Sequence, residues 1–187
     1  MKIFLTGGSG FIGKHLIKRL ERGSHKMLLL SRSSDPKKFG LKSFPKNISI
    51  VKGNISTINK WKDKVKKFKP EAVIHLAWEG LPATDTIISI KNLLSGINLF
   101  TALAEMDFKH FVAVGTQWEY GNTTGKIKET APRDPYNPLA AAKISLEFFV
   151  REIAKKKGVR FSWLRLFAVY GPGQRPGALI PSITRKL

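Results

Sequence analysis

Cysteine is absent from the 187-residue chain. That excludes a disulfide framework, a Cys-x-x-Cys redox pair, a thiolate nucleophile and a cysteine-built zinc site, and no metal site is expected. Acidic residues are scarce: 13 stand against 33 lysines and arginines, for a formal charge of +20 and a pI near 10.4. Long apolar runs are missing as well. None approaches the ~18 residues of a membrane span, and the first apolar stretch, Ile3 to Leu5, meets Gly7-Gly8 before it could form a secretory core segment. The expected compartment is the cytoplasm. What remains, 42% apolar and 25% charged residues, is an ordinary globular composition. The length suits one domain able to bury roughly 70% of its unfolded surface.

The positive charge is unevenly spread. Residues 36 to 69 hold 11 lysines and a single acid, Asp63. Within that stretch Ile58, Trp61, Val65 and Phe68 recur at helical spacing, which predicts a helix over Ile58 to Phe68 with its lysines on the solvated faces. Nucleic-acid motifs and interleaved exposed aromatics are lacking, so no specific nucleic-acid partner is expected.

Short β-rich runs alternate with helical patterns along the chain. Strands are predicted at Lys2 to Thr6, Met27 to Ser31, Ser49 to Val51, Ala72 to Ala77, Phe111 to Gly115 and Arg160 to Leu166. The other helices fall at Phe11 to Arg22, Thr86 to Met106 and Leu139 to Lys157. With right-handed crossovers this is an α/β, Rossmann-like doubly wound parallel sheet of strand order 3-2-1-4-5-6. After Leu166 comes a Gly/Pro-rich turn, Tyr170 to Gly177, and a helical start at Ala178 that is expected to run on to Leu187. Residues 1–166 therefore read as a dinucleotide-binding domain, and 167–187 as the start of a truncated substrate domain.

The strongest local signal is Thr6-Gly7-Gly8-Ser9-Gly10-Phe11-Ile12-Gly13, set directly after a strand and opening a helix. Gly7, Gly10 and Gly13 permit a tight turn, close backbone approach to a pyrophosphate and close helix packing, while the helix N-terminus offers N–H groups and a positive dipole. The spacing is G-x-x-G-x-x-G. At the end of the second strand an acidic residue would bind ribose hydroxyls, but Ser31-Arg32-Ser33-Ser34 stands there. A guanidinium among hydroxyls favours NADP over NAD. His75, inside an apolar strand, is expected to be a satisfied core histidine.

With that turn in place, four further segments complete a resemblance covering the whole chain. They are Gly53-Asn54-Ile55, Val73-Ile74-His75-Leu76-Ala77-Trp78, Gly115-Thr116-Gln117-Trp118-Glu119-Tyr120-Gly121, and Leu164 through Gly173. The chain resembles the extended short-chain dehydrogenases/reductases of the NAD-dependent epimerase/dehydratase family, and within it the reductases of nucleotide-linked 4-keto-6-deoxyhexoses. The resemblance implies NADP or NAD as cofactor, a nucleotide-sugar substrate and an assembly compatible with a homodimer. It also implies cofactor contacts from Gly7, Gly10, Phe11, Ile12, Gly13, Arg32, Asn54, Ile55, Leu76, Ala77 and Trp78, and from Asn92, Lys143 and Phe167. Thr116 and Lys143 take catalytic positions.

One departure bears on chemistry. The family's catalytic pair is Tyr-x-x-x-Lys, and Leu139-Ala140-Ala141-Ala142-Lys143 keeps only the lysine. Leucine cannot exchange a proton with a substrate oxygen. Tyr136 is the nearest substitute, but Pro138 predicts that the helix begins after it. Glu119 and Tyr120 are expected in loop packing and a buried hydrogen bond. Ala168 stands where many relatives carry an asparagine that meets the sugar nucleotide. Two readings stay open: an oxidoreductase or epimerase of nucleotide sugars impaired at Leu139, and a noncatalytic dinucleotide-binding protein.

Overall fold

Six short, apolar strands pair in parallel to form the centre of the molecule. The computed structural model describes residues 1–82 and 84–185. Strands β1 (Lys2–Thr6), β2 (Lys26–Ser31), β3 (Ile48–Lys52), β4 (Ala72–His75), β5 (His110–Thr116) and β6 (Arg160–Leu166) lie in the order β3-β2-β1-β4-β5-β6. Helices α1 (Phe11–Leu20), α2 (Lys62–Phe68), α3 (Thr86–Ala104) and α4 (Pro138–Lys157) supply the crossovers, and a short α5 (Leu179–Thr184) follows the sheet. β1 is buried almost throughout, as a central parallel strand covered on both faces must be. One core packs Phe4, Trp61, Val73, Phe100 and Phe111 beneath α3 and α4. On the opposite face Ile3, Leu5, Ile17, Leu29 and Phe39 gather under α1.

The predicted strand order is the observed one, with local corrections. The helix expected over Ile58 to Phe68 is broken: a 3-10 turn (Ile55–Lys60) leads to Trp61, whose backbone is not helical, and α2 starts only at Lys62. The apolar face survives the break, because Trp61 and Val65 are buried while Ile58 and Phe68 pack against the same core. β4 stops at His75 rather than Ala77, since the chain must leave the ladder where it passes Gly7. α1 and α3 end two residues early, at Leu20 and Ala104. The final helix does not run on from Ala178: α5 ends at Thr184 with Arg185 as its cap, and 186–187 lie outside the described residues. α3 is the one described helix long and apolar enough to cross a membrane. Here its Leu99, Phe100 and Leu103 are buried in the core, and Gly96 lets Leu146 of α4 approach its backbone.

An ionic cluster ties β5, β6 and α4 together. Glu119, in a 3-10 turn after β5, and Glu147 of α4 are both buried. Arg165 of β6 bridges them, Nε to Glu119 Oε2 at 2.9 Å and Nη2 to Glu147 Oε2 at 3.1 Å. Trp163 Nε1 and the Thr116 backbone N–H donate further to Glu119, and Arg133 and Arg151 to Glu147. Gly115 makes the room: a Cβ there would lie 2.2 Å from Glu119 Oε1. Arg165→Met would leave the buried Glu119 without a cationic partner among the described residues and take one of three guanidinium groups from Glu147, so about 3–5 kcal/mol of stability should be lost. Urea unfolding at pH 7 checks this; a loss under about 1 kcal/mol would mean that the cluster is solvated.

Candidate cofactor cleft and active site

β1 ends at Thr6 and the chain turns at Gly7, whose φ of 77° favours glycine. A side chain at Gly7 would sit 2.5 Å from the Ala77 backbone nitrogen, and one at Gly13 would sit 2.3 Å from the Gly7 carbonyl oxygen. Turn, helix start and the exit of β4 thus meet main chain to main chain. α1 begins at Phe11 behind Gly10, with no side-chain cap and no acidic residue in its first turn. By contrast Asp85 caps α3 and Asn137 caps α4. The first N–H groups of α1 are left for an external anion, the condition that a bound pyrophosphate requires.

The turn just ahead of α1, through Gly7, Ser9 and Gly10, lines a cleft of about 380 Å³. Of the residues expected to bind cofactor, Gly7, Gly10, Arg32, Asn54, Ile55, Leu76, Ala77 and Trp78 line it. Asn54 is held as the cap of the 3-10 turn, and its carbonyl accepts a 2.8 Å bond from Trp61 Nε1. Arg32 projects from the end of β2 beside Ser31 and Ser33, whose hydroxyl oxygens accept backbone N–H bonds and keep their own O–H groups free to donate. Lys38 and Glu79 join them without being marked by the sequence. Lys38 lines the cleft as well, and so does Glu79, which pairs with Arg32 at 3.2 Å. Neither sits inside a recognisable motif; only the fold brings the loop after β4 opposite the end of β2.

The other expected residues lie away from this lining. Gly13 acts in packing, while Phe11 stacks edge-on with His15, which bonds the Pro172 carbonyl at 2.8 Å. Ile12 sits half-buried in the first turn of α1. Asn92 of α3 works as a clamp: its Oδ1 accepts the Glu79 N–H at 2.8 Å and its Nδ2 donates to the Glu79 carbonyl at 3.0 Å. Phe167 is half-exposed beside Tyr120.

At the expected catalytic positions, Thr116 caps the 3-10 turn after β5 and accepts the Trp118 N–H. Leu139 is 1% exposed and Lys143 5%. Lys143 Nζ donates to the Val114 carbonyl at 2.6 Å and lies 4.2 Å from the centroid of the Trp78 ring. Tyr136 precedes the Asn137 cap of α4, is 52% exposed and stacks near Trp118. Glu119 and Tyr120 are buried, the carboxylate in its ion cluster and the phenol accepting from Arg165 at 3.2 Å. His75 accepts or donates at Nδ1 with Thr6 Oγ1 at 2.7 Å. Burial, reinforced by Lys143, lowers its pKa to about 3, so the ring is neutral. Among the described residues no metal-binding cluster occurs.

Burial also lowers the Lys143 ammonium from 10.5 to about 8, with Glu119 opposing. Below about 8 it is charged in both folded and unfolded chains and the burial penalty is complete. Between about 8 and the unfolded value the unfolded chain binds more protons, so stability due to Lys143 rises with pH. Relative to Lys143→Met, the wild-type chain should gain stability from pH 8 to 10 in parallel denaturant titrations; a flat difference would contradict a buried charge.

Comparison with known proteins adds the following. The pattern of the NAD dependent epimerase/dehydratase family matches residues 3–187. The chain is 26% identical over 188 residues to the dTDP-6-deoxy-L-talose 4-dehydrogenase (NAD(+)) of Aggregatibacter actinomycetemcomitans, covering 99% of this chain and 67% of that protein. It is 28% identical over 179 residues to the UDP-glucose 4-epimerase of Streptococcus mutans, covering 91% and 53%. The solved UDP-glucuronic acid 4-epimerase from Bacillus cereus, in complex with NAD, matches with a TM-score of 0.85 at 24% identity, over 100% of this chain and 62% of that one. That last likeness shows the fold. The chain spans between 53% and 67% of the length of these proteins.

Proposed function

The chain belongs to the NAD dependent epimerase/dehydratase family, and on that premise we propose that it binds NADP in preference to NAD and serves hydride exchange with a nucleotide-linked sugar, a 4-keto-6-deoxyhexose being the substrate we favour. The observation that carries the reading is the glycine turn Gly7 to Gly10, which lines the cleft and leads into a helix whose start has no side-chain cap. The sugar assignment draws support from the likeness to the dTDP-6-deoxy-L-talose 4-dehydrogenase. Residues 167–187 are assigned to the start of the substrate-binding part. A homodimer would place its interface on the exposed stripe Ile87, Ile90 and Leu94 of α3, with Phe148 and Phe149 of α4. The cytoplasm is the compartment assigned.

When bound, the nicotinamide supplies or accepts the hydride. The turn at Gly7 to Gly10 with the start of α1 would hold the pyrophosphate, Asn54 and Ile55 would hold the adenine, and Arg32 with Lys38 would hold the 2′-phosphate. Thr116 offers a hydroxyl to the substrate carbonyl. Proton transfer is the weak step, because Leu139 has no proton to give and Lys143 is committed to Val114 and Trp78. The same two residues favour a second reading, a dinucleotide-binding protein without turnover.

Cofactor choice is tested by calorimetric titration. NADPH should bind tighter than NADH by about 1–3 kcal/mol, a gap set by charge-assisted hydrogen bonds to the phosphate. Arg32→Ala should close the gap, and Glu79→Gln, which frees Arg32 from its counter-ion, should tighten NADPH several-fold. Equal affinities in the wild-type chain would remove Arg32 from the site.

Turnover is tested by NADPH oxidation with nucleotide-linked 4-keto-6-deoxyhexoses, cofactor binding being followed in parallel. The unmodified chain should be slow, since a positioned general acid is worth roughly 10²–10⁴-fold. Joining the substrate-binding part of a relative should leave it slow; adding Leu139→Tyr should then raise the rate, and Tyr136→Phe should change little. Cofactor binding with no turnover in Leu139→Tyr favours the second reading. Turnover that vanishes in Tyr136→Phe would hand the acid's role to Tyr136.

A further inference from the structure

The edge of the sheet opposite the cleft carries a concentration of positive charge. Because all six strands are parallel, their first residues share one edge. Main-chain bonds tie that edge into a row: Lys26 N–H to the Met1 carbonyl, Glu71 to Lys2, Lys109 to Glu71 and Arg160 to Lys109, at 2.8 to 3.0 Å. The helices, running antiparallel to the strands, end there too. Lys18 and Arg19 occupy the last turn of α1. Lys66 and Lys67 end α2, with Lys69 as its cap. Lys155, Lys156 and Lys157 end α4. All eight are exposed, as are Lys26, Lys109 and Arg160 on the strand edge. The carboxylates nearby are Glu21, Asp63, Glu71, Glu105, Asp107 and Glu152; Asp63 stands one turn ahead of Lys66 and Lys67, and Glu152 one turn ahead of Lys155 and Lys156, while Glu71 accepts the Lys2 N–H at 2.7 Å and Glu105 pairs with Lys157 at 2.9 Å.

Compensation of helix dipoles explains part of this, since a cation in the last turn is favourable at any helix C-terminus. It does not explain three in succession on α4, nor Lys26, Lys109 and Arg160, which belong to strands. We propose that this edge is a docking face for an anionic phospholipid surface. Lysines outnumber arginines here, giving flexible point charges rather than the rigid forks that read individual phosphates. Helix C-termini present carbonyl oxygens, so close phosphate coordination is disfavoured and only long side chains reach outward into a diffuse layer of headgroups. Phe68, the aromatic at the end of α2, is half-buried and lies under Lys2 at 5.8 Å, leaving it unavailable for base stacking. Strands of five to seven residues for the most part put the face roughly 15–20 Å from the cleft, so docking leaves the cleft open to water. The assignment does not depend on the reaction proposed above.

The experiment is sedimentation of the full chain with vesicles of phosphatidylcholine alone and of 70:30 phosphatidylcholine:phosphatidylserine, at low and at physiological salt, with a random-sequence DNA duplex measured alongside. The mixed vesicles should bind the chain, more weakly as salt rises, and the neutral ones should not. Each cation near such a surface contributes roughly fivefold in partition, so Lys155→Gln/Lys156→Gln/Lys157→Gln should lower partition at least tenfold. Removing the same charge elsewhere, in Lys91→Gln/Lys126→Gln/Lys128→Gln, should leave it within about twofold. Circular-dichroism melting verifies that both variants fold. Equal loss in the two triple variants would reduce the effect to net charge and overturn a docking face. Binding to duplex DNA at physiological salt that exceeds binding to the mixed vesicles would overturn the lipid assignment in favour of nucleic acid, and so would vesicle binding indifferent to phosphatidylserine.

Discussion

The contact on which the molecule depends is the meeting of backbones at Gly7. A Cβ on Gly7 would overlap the Ala77 nitrogen, and one on Gly13 would overlap the Gly7 carbonyl. Because no side chain intervenes, α1 can start directly over the end of β1. The turn ahead of it therefore lines the crevice where the order of the strands reverses, between β1 and β4. The early end of β4 follows from the same contact. Once the Leu76 N–H has bonded the Thr6 carbonyl at 3.1 Å, the chain must swing past Gly7, and it carries Trp78 and Glu79 to the two halves of the site. Trp78 goes to the Lys143 side and Glu79 to the Arg32 side.

The second half of the domain is organised differently. There, polar groups in a dry interior fix the geometry: Arg165 draws the turn after β5 and the middle of α4 onto β6 through Glu119 and Glu147. A cluster of this kind adds little net stability when intact but is costly to break in part. It therefore specifies one arrangement of β5, β6 and α4. That arrangement sets the height of Thr116 and of the α4 start relative to the sheet.

Periodicity is enough to read the strands and the apolar faces of the helices, because burial on both sides of a parallel sheet writes itself into β1, β2 and β4 as continuous apolar runs, and the right-handed crossover then gives the strand order. The lining of the candidate cleft is legible in the same degree where it sits on main chain, at Gly7, Gly10 and Leu76-Ala77, since only certain residues permit such approaches. What escaped were contacts between segments far apart in sequence. Glu79 and Arg32 are 47 positions apart, and nothing local marks either as the other's partner. The hold of Asn92 on the Glu79 backbone is equally unmarked, because an amide with one donor and one acceptor face fits a peptide group as readily as a ligand. The break at Trp61 was hidden for another reason: a kink that keeps Ile58, Val65 and Phe68 on the core leaves the hydrophobic period unchanged.

Leu139 and Lys143 are both buried at the start of α4, and Lys143 packs over Trp78. An ammonium buried to 5% exposure needs partners to stay charged, and a phenol at position 139 would have been one candidate neighbour. With leucine there, the partners are the Val114 carbonyl and the face of Trp78, an arrangement in which a ring quadrupole substitutes for a hydroxyl. Burial still depresses the lysine to about 8, so these partners compensate only in part. Restoring a tyrosine at 139 would put a larger polar side chain into a filled core position. Gain of a proton donor and loss of packing must then trade against each other, and turnover measured together with the melting temperature of Leu139→Tyr separates them.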